Sequence, residues 1–174
     1  TERFVDWALT SANRTRSVDD RAFHLAVDPA QLDHAELTKA ENFWDAHGVD
    51  HQHLSRALLD TTTLPADVAN LPRPIFGFVG VVGDWVDIDL VAGLARQRPD
   101  ASIVMIGPAT TPVGSTASLP NIHWLGGRNH KLLPDYLKSF DVGLIPFRQV
   151  PLTHNANPIK LYEYLAAGVL TVST

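Results

Sequence analysis

"PIFGFVGVVGDWVDIDLVAGLARQRPDASIVMIGP", residues 74–108, decides the fold class. It opens with an apolar run between Pro and Gly, a pattern typical of a strand buried on both faces. Apolar residues then recur at helical spacing, at Ile88, Val91, Leu94 and Ala95, with aspartates in the first turn and arginines in the last. A second apolar run, "SIVMIGP", follows. This order predicts two parallel strands joined by a helix in a right-handed crossover.

The same alternation continues to the end of the chain. Further strands are predicted in "NIHWLG" (121–126), "DVGLIPF" (141–147) and "VLTVST" (169–174), and further helices in "LLPDYLKSF" (132–140) and "NPIKLYEYLAAG" (157–168). Residues 108–120 are rich in Pro, Thr, Ser and Gly, and there we expect a surface loop with a short helical turn instead of a helix. Residues 73–174 are therefore predicted to form an α/β domain with a doubly wound parallel sheet.

The first 72 residues follow a less regular pattern. "DWALTSANRTR" (6–16) is interpreted as a short strand with a following turn or helix, and "DPAQLDHAELTKAENFWDA" (28–46) has helical composition. "TTTLPADVANLPRP" (61–74) has the composition of a linker with a short helical turn. We therefore place a domain boundary near residue 70, between residues 1–72 and residues 73–174.

Composition and charge exclude several classes of protein. The 174 residues include no cysteine, which excludes disulfides, thiolate metal sites and a cysteine nucleophile. There is no apolar run of about 20 residues to span a bilayer, and the first 20 residues are too charged for a signal peptide. Residues 1–72 carry 6 Lys and Arg against 12 Asp and Glu, an acidic balance that argues against nucleic acid as a partner. We expect a soluble, cytoplasmic protein.

Candidate site residues lie where the strands of a doubly wound sheet end, since ligands bind beyond those carboxyl ends. After the first strand, Gly80 and Gly83 allow close backbone approach, and the next helix offers its N-terminus to an anion; a plain turn is an equal alternative. The dinucleotide fingerprint G-x-G-x-x-G is absent, so the sequence does not favour a nicotinamide or flavin cofactor. After the third strand, Gly127 and Arg128 suit either a nucleobase and a phosphate or a solvated turn.

The helix predicted in residues 157–168 has well-defined ends. Asn157 is a good cap, Pro158 fits the first helical position, and Gly168 suits the left-handed residue that ends a helix. Tyr164 belongs to the face expected to pack on the sheet.

Two charges, Lys160 and Glu163, lie one turn apart on that helix. As an exposed ion pair they would contribute only about 0.3 kcal/mol. However, a lysine in the first turn opposes the helix dipole unless an anion binds there too. A phosphate at this helix end would remove the conflict, and Glu163 would then be placed to accept hydrogen bonds from a ribose diol. Spacing leaves both interpretations open.

At this helix the sequence resembles a known family. "NPIKLYEYLAAGVLTVST" is similar to the signature P-x-K-x-x-E-Y-x-A-x-G followed by a strand, which is found in group 1 glycosyltransferases, the retaining GT-B enzymes that use nucleotide-activated sugars. Residues 74–108, residues 119–147 and, more weakly, "HGVD" (47–50) resemble successive segments of the same family in the same order. The resemblance covers roughly residues 47–174. It implies that residues 73–174 are the Rossmann-like C-terminal half of a GT-B fold, which binds the donor sugar nucleotide.

The resemblance also implies roles for individual residues. Glu163 would bind the donor ribose, Gly127 and Arg128 would approach the base, and the amides of Asn157, Ile159 and Lys160 would approach the diphosphate of a UDP- or GDP-linked sugar. Metal is usually unnecessary in this family, and the eight histidines show no pairing typical of a metal site.

Two departures from the family pattern concern the donor site. Many relatives carry a glutamate where this chain has Asn155, and many place an Arg and a Lys after the first strand, where this chain has "GDWVDID". Lys160, Arg148 and Arg128 are the candidates to replace that charge.

A GT-B enzyme has two such domains, so the resemblance predicts that this chain is part of a longer protein. Residues 1–46 would be the tail of an N-terminal domain, and we expect the chain alone to be inactive. Family members often contact membranes through that N-terminal domain, which leaves peripheral membrane contact open for the whole protein. A GT-B sugar-nucleotide epimerase and a degenerate, non-catalytic nucleotide-binding or interaction module are the alternatives.

Overall fold

The computed structural model describes residues 25–27, 48–154 and 158–174. Their framework is one six-stranded sheet with the order β1-β6-β5-β2-β3-β4. The strands are β1 (Leu25–Val27), β2 (Ile75–Val79), β3 (Ser102–Ile106), β4 (Ile122–Gly126), β5 (Val142–Ile145) and β6 (Thr171–Ser173). The segments 6–16 and 28–46 and residues His47, Asn155 and Asn157 lie outside the described residues, so the predictions made for them are not tested.

Strands β2 to β6 are parallel, and this confirms the predicted fold class. The chain runs outward from β2 through β3 to β4 and then returns to β5 on the other side of β2. The strand order therefore reverses between β2 and β5, which is where a Rossmann-like sheet binds its ligand. Strand β1 adds an antiparallel edge beside β6. It was not predicted, because three apolar residues are too few to show a strand period.

In the described residues, five helices flank or cap the sheet: α1 (His51–Leu54), α2 (Ile88–Gln97), α3 (Leu133–Leu137), α4 (Pro151–His154) and α5 (Ile159–Ala166). Short 3-10 helices cover Ser55–Leu58, Gly114–Ser118 and His130–Leu132. The predictions for α2, α3 and α5 are confirmed, as is the helical turn within residues 108–120. The short helix α4 was not predicted.

The start of α5 differs from the prediction. Pro158 was expected at the first helical position, but it is the N-cap residue, with φ −71° and ψ 115°. The proline ring fixes φ and leaves ψ free, and because ψ is extended here, helical geometry begins at Ile159. The predicted end is confirmed, since Gly168 has φ +71°.

The two faces of the sheet are buried in two apolar clusters. Alternate residues along β3 face opposite sides: Val104 and Ile106 belong to the cluster under α3 and α5, whereas Ile103 and Met105 belong to the cluster under α2. Neighbouring strands follow the same alternation. Because helices cover both faces, β2 and β5 are apolar throughout and β3 is apolar after Ser102, as the continuous apolar runs predicted.

Residues 48–73 pack along α3 through polar as well as apolar contacts. Lys138 Nζ donates to the carbonyl of Leu59, and Arg73 Nη2 donates to Asp141 Oδ1 at 2.7 Å. The predicted helical turn of this segment is present, since the amides of Val68 and Ala69 both donate to the carbonyl of Pro65. The domain boundary near residue 70 stays a prediction. Within the described ranges, no helix has the length and apolar character needed to cross a bilayer.

Candidate functional site

A cavity of about 220 Å³ opens at the carboxyl ends of β2 and β5, where the strand order reverses. Its walls come from the end of β2 and the loop after it, from Phe147 after β5, and from the start of α5. The lining residues are Phe78, Val79, Gly80, Val81, Trp85, Phe147, Pro158, Ile159 and Lys160. The cavity thus brings together three of the predicted site residues, Gly80, Ile159 and Lys160.

Gly80 keeps the mouth of the cavity open. Its φ is +152°, and a Cβ there would lie 3.5 Å from Lys160 Cε and 3.2 Å from the Phe78 ring. A second glycine, Gly107, follows β3 with φ +134°, and a Cβ there would lie 1.9 Å from the carbonyl oxygen of Gly80. The chain segments after β2 and β3 therefore pass each other at a distance that only glycine permits. Sequence analysis missed Gly107, although its place between an apolar run and Pro108 was a signal.

The floor of the cavity is held by Tyr164 of α5, which is fully buried. Its hydroxyl accepts a hydrogen bond from the Val79 amide at 2.9 Å and donates to the Leu144 carbonyl at 3.4 Å. Its ring occupies the space above Gly143, where a Cβ would lie 2.6 Å away. Burial raises the pKa of the Tyr164 hydroxyl above its ordinary value, so it stays protonated. The predicted packing of Tyr164 is confirmed, and its bridge between β2 and β5 is an addition.

The two charges of α5 form an ion pair at the edge of the cavity. Lys160 Nζ lies 2.5 Å from Glu163 Oε2, and the side chains are only 23% and 16% exposed. The pair is therefore not the fully exposed surface pair considered from the sequence. Because both groups are largely shielded from water, solvent screens the charges of this pair only weakly.

The helices α2 and α5 both begin at this edge but differ in their first turns. Asp87 caps α2, with its carboxylate accepting from the Leu90 amide at 3.0 Å, and Asp89 follows in the first turn. The carboxylates of α2 occupy the place of an anion, which favours the plain turn over the anion site predicted there. In the described residues of α5 there is no side-chain cap and no acidic residue in the first turn.

Gly83 and Arg148 lie beside the cavity without lining it. A Cβ at Gly83 would lie 2.4 Å from the indole of Trp85, so this glycine makes room for the ring. Arg148 is exposed, and its amide donates to the Trp85 carbonyl at 2.8 Å. Among the described contacts, the Arg148 guanidinium takes part in no hydrogen bond or ion pair, so it remains the nearest uncommitted cation in the chain segment after β5.

Arg128 and Gly127 follow β4, two strands away from the cavity. All three guanidinium nitrogens of Arg128 are engaged: Nε donates to Tyr136 Oη at 2.8 Å, Nη2 donates to Asp67 Oδ2 at 2.9 Å, and Nη1 donates to the Leu125 carbonyl. The Tyr136 hydroxyl donates in turn to Asp67 Oδ2 at 3.0 Å. Hydrogen bonds to Asp67 and Tyr136 raise the pKa of Arg128. Gly127 has open space beside it.

Comparison with known proteins adds one relative, and no family model matches the chain. A protein of Bacillus subtilis (strain 168), provisionally named teichuronic acid biosynthesis glycosyltransferase TuaH, is 33% identical to this chain over 104 residues. The similarity supports a glycosyltransferase. The match includes 58% of this chain but 26% of the relative, so the chain spans about a quarter of the relative's length.

The candidate site contains residues that sequence analysis did not select. Trp85, Phe78 and Phe147 line the cavity, but from the sequence they are merely apolar residues at or near strand ends. Of the three, Trp85 was the easiest to select as a candidate site residue, because it interrupts a polar segment, "GDWVD", directly after the first strand. No group of three or more His, Cys, Asp or Glu residues suited to a metal ion occurs in the part of the chain that the structure describes.

Proposed function

We propose that this chain is the donor-binding portion of a retaining GT-B glycosyltransferase, and that it binds a UDP- or GDP-linked sugar where the strand order reverses. The observation that carries the proposal is the cavity between β2 and β5, which opens onto the first turn of α5 beside Lys160 and Glu163. The similarity to a named glycosyltransferase supports the same class of reaction. The acceptor, the N-terminal domain and any membrane contact belong to the proposal for the whole protein.

In this proposal the first turn of α5 receives the diphosphate. The amides at the start of α5 carry the positive end of the helix dipole, and Lys160 adds a full charge next to them. During transfer, the bond between the sugar and the diphosphate breaks and negative charge grows on the departing nucleoside diphosphate. Fixed amides and a weakly screened lysine stabilise that charge without reorganisation.

Glu163 has the second role, as acceptor for the hydroxyls of the donor ribose. Its Oε2 atom is paired with Lys160 in the free chain. A diphosphate next to Lys160 competes for the ammonium group, and each carboxylate oxygen that is released accepts a ribose hydroxyl. Binding of the diphosphate and binding of the ribose are therefore coupled, because each uses one member of the same ion pair.

A non-catalytic nucleotide-binding module is the second candidate. Lys160 is the only charged residue among those that line the cavity, and α2 presents carboxylates where relatives often have a basic pair. A module of this kind would bind a nucleoside diphosphate and catalyse no transfer. Assay of the full-length protein for transfer from UDP- and GDP-sugars separates the two candidates.

Titration calorimetry of this chain with UDP, GDP and their sugars tests the donor site. We expect binding of one nucleotide series, and a loss of about tenfold or more in Glu163→Gln, because hydrogen bonds to a charged group contribute about 1.5–3 kcal/mol. The matched control is Asp100→Asn, which removes a carboxylate from the ion pair with Arg98 at the other end of the strands. If a folded sample binds no nucleotide at millimolar concentration, or if both variants bind equally well, the donor-site assignment fails.

A further inference from the structure

Trp85 is an aromatic side chain that lines the cavity and has no role in the donor contacts above. It is 38% exposed, which is unusual for a large aromatic group held on a fixed backbone. Its carbonyl accepts from the Arg148 amide at 2.8 Å, and the Asp87 amide two residues later donates to the Pro146 carbonyl at 2.7 Å. The loop after β2 is thus tied to the chain after β5, and the exposed indole is held in place rather than free to collapse.

The size of the cavity limits what can occupy it. Pockets that enclose a whole drug-sized ligand have volumes of about 300–1,000 Å³, whereas this cavity has about 220 Å³. A nucleotide sugar contains a base, a ribose, a diphosphate and a hexose. The cavity therefore takes one ring of such a ligand and leaves the other parts outside.

The chemistry of the walls indicates which ring this is. Lys160 supplies one positive charge at one place in the cavity, and the other walls are apolar, with Phe78, Trp85 and Phe147 as the large aromatic members. The matching ligand has an anionic group directly attached to a ring with an apolar C–H face. A pyranose joined to a diphosphate has this form, because its ring hydrogens present an apolar face that packs well on an indole.

The strand order supports the same choice. The base is proposed to lie beside Gly127, which follows β4, and β4 is two strands away from β2. Neighbouring strands are about 4.8 Å apart, so the base would lie on the order of 10 Å from the cavity. Ribose and diphosphate would span that gap between Gly127 and the first turn of α5, and the cavity is left for the far end of the ligand.

We propose that Trp85 packs against the sugar of the nucleotide-sugar donor and makes this chain bind the sugar nucleotide more tightly than the free nucleotide. This inference rests on the proposed donor site. It assigns the specificity for the transferred group to the loop after β2, where Gly83 makes room for the indole ring. Trp85 would thus contribute to binding the sugar and leave the affinity for the nucleotide itself unchanged.

The test measures the gain in affinity that the sugar provides. Calorimetry is done on the wild-type chain, Trp85→Ala, Trp85→Phe and Val150→Ala, with UDP, UDP-glucose, UDP-N-acetylglucosamine, GDP and GDP-mannose. Val150→Ala is the matched control, since Val150 is 39% exposed and does not line the cavity. In Trp85→Ala we expect the advantage of the best sugar nucleotide over its free nucleotide to fall about tenfold, while affinity for the free nucleotide stays within about twofold.

Each outcome supports or contradicts the role of Trp85. An intermediate loss in Trp85→Phe, with no loss in Val150→Ala, supports stacking against the sugar. Equal weakening of free and sugar-linked nucleotide in Trp85→Ala, or no advantage for any sugar nucleotide in the wild type, overturns the role of Trp85 and leaves the donor site standing. Absence of all nucleotide binding by the wild type overturns the donor site and this inference together. Melting curves of the four proteins confirm that each is folded, and Gly83→Ala, which displaces the indole while keeping it, provides a second test with the same expected loss.

Discussion

The carboxyl edge of the sheet has two halves, and the cations in these halves differ in how many hydrogen-bond partners they have. In the half beyond β4, Arg128 donates from all three of its nitrogens to Asp67, Tyr136 and the chain's own carbonyls. In the half between β2 and β5, Lys160 has one side-chain partner among the described residues, Glu163, and lies in the first turn of α5 at the edge of the cavity. Both cations were candidates from the sequence, and both lie at the predicted edge.

This difference shows that the partners of a charge, and not only its position, decide whether it can receive a ligand. A guanidinium that already donates from all three of its nitrogens, and that is paired with a carboxylate, gains less from a phosphate than a cation with fewer partners, because most of its N–H groups already have acceptors. Arg128 remains a predicted base contact through its backbone and the open space at Gly127. In the proposed donor site the diphosphate binds beside Lys160, and Arg148 is the candidate for a second cation. Each prediction below alters one half of the edge and compares it with the other.

The largest expected effect comes from Tyr164→Phe, which breaks the attachment of α5 at the cavity. The substitution leaves the buried Val79 amide and Leu144 carbonyl without the hydroxyl, and the free energy of unfolding should fall by about 1–3 kcal/mol. Urea denaturation measures it. Tyr136→Phe removes a hydroxyl from the other half, where its partners Arg128 and Asp67 are about one-third exposed and can bind water instead, and should cost less than about 1 kcal/mol. Equal losses for the two variants would contradict the bridging role of Tyr164.

Asp87→Ala makes the start of α2 resemble the start of α5. Loss of the cap should lower the free energy of unfolding by about 1 kcal/mol, while nucleotide affinity should not fall, because we propose that the diphosphate binds at α5 and not at α2. Asp84→Ala removes the same charge from an exposed residue three positions earlier and should leave stability within about 0.5 kcal/mol. Denaturation and calorimetry on both variants check this. A large loss of nucleotide affinity in Asp87→Ala alone would show that α2 takes part in the site.

The smallest effect is a pH dependence in the half beyond β4. Burial raises the pKa of the Asp67 carboxyl, but hydrogen bonds from Arg128 and Tyr136 outweigh it and hold that pKa below its ordinary value. Its contribution to stability is therefore complete above about pH 4, the pKa of an unfolded Asp, and is lost as pH falls through the lower folded pKa. Since Asp67 is about one-third exposed, the loss should be only a few tenths of a kcal/mol.

Denaturation of the wild type and Asp67→Asn between pH 3 and pH 7 measures this contribution. The difference in stability between the two proteins should shrink below about pH 4 and stay constant above it. Asp60→Asn, at an exposed position in the same segment, is the matched control and should show no such change. If the difference in the free energy of unfolding between wild type and Asp67→Asn stays constant down to pH 3, the charge of Asp67 does not stabilise the fold through its pair with Arg128.

Much of the fold was predictable because its signals are local. The apolar runs of β2 and β3 and the helical spacing of α2 determine a strand–helix–strand unit within 35 residues. What the sequence did not reveal depends on contacts between distant residues. These are the pairing of the edge strand β1, the close approach of Gly107 to Gly80, and the ion pair of Arg128 with Asp67, 61 positions away. Lys160 and Glu163 were found because one helical turn brings them together, whereas Trp85 was missed because its neighbours in the cavity come from other segments.

Tyr164 has a consequence for how such a site diversifies over evolution. A hydrogen-bonded anchor that holds α5 to the sheet lies inside the helix, one residue after Glu163. Insertions, deletions and substitutions between β5 and α5 can therefore accumulate without displacing Lys160 or Glu163. Related proteins can therefore differ in the segment through which the ligand approaches, while the residues proposed to bind the ligand keep the same position.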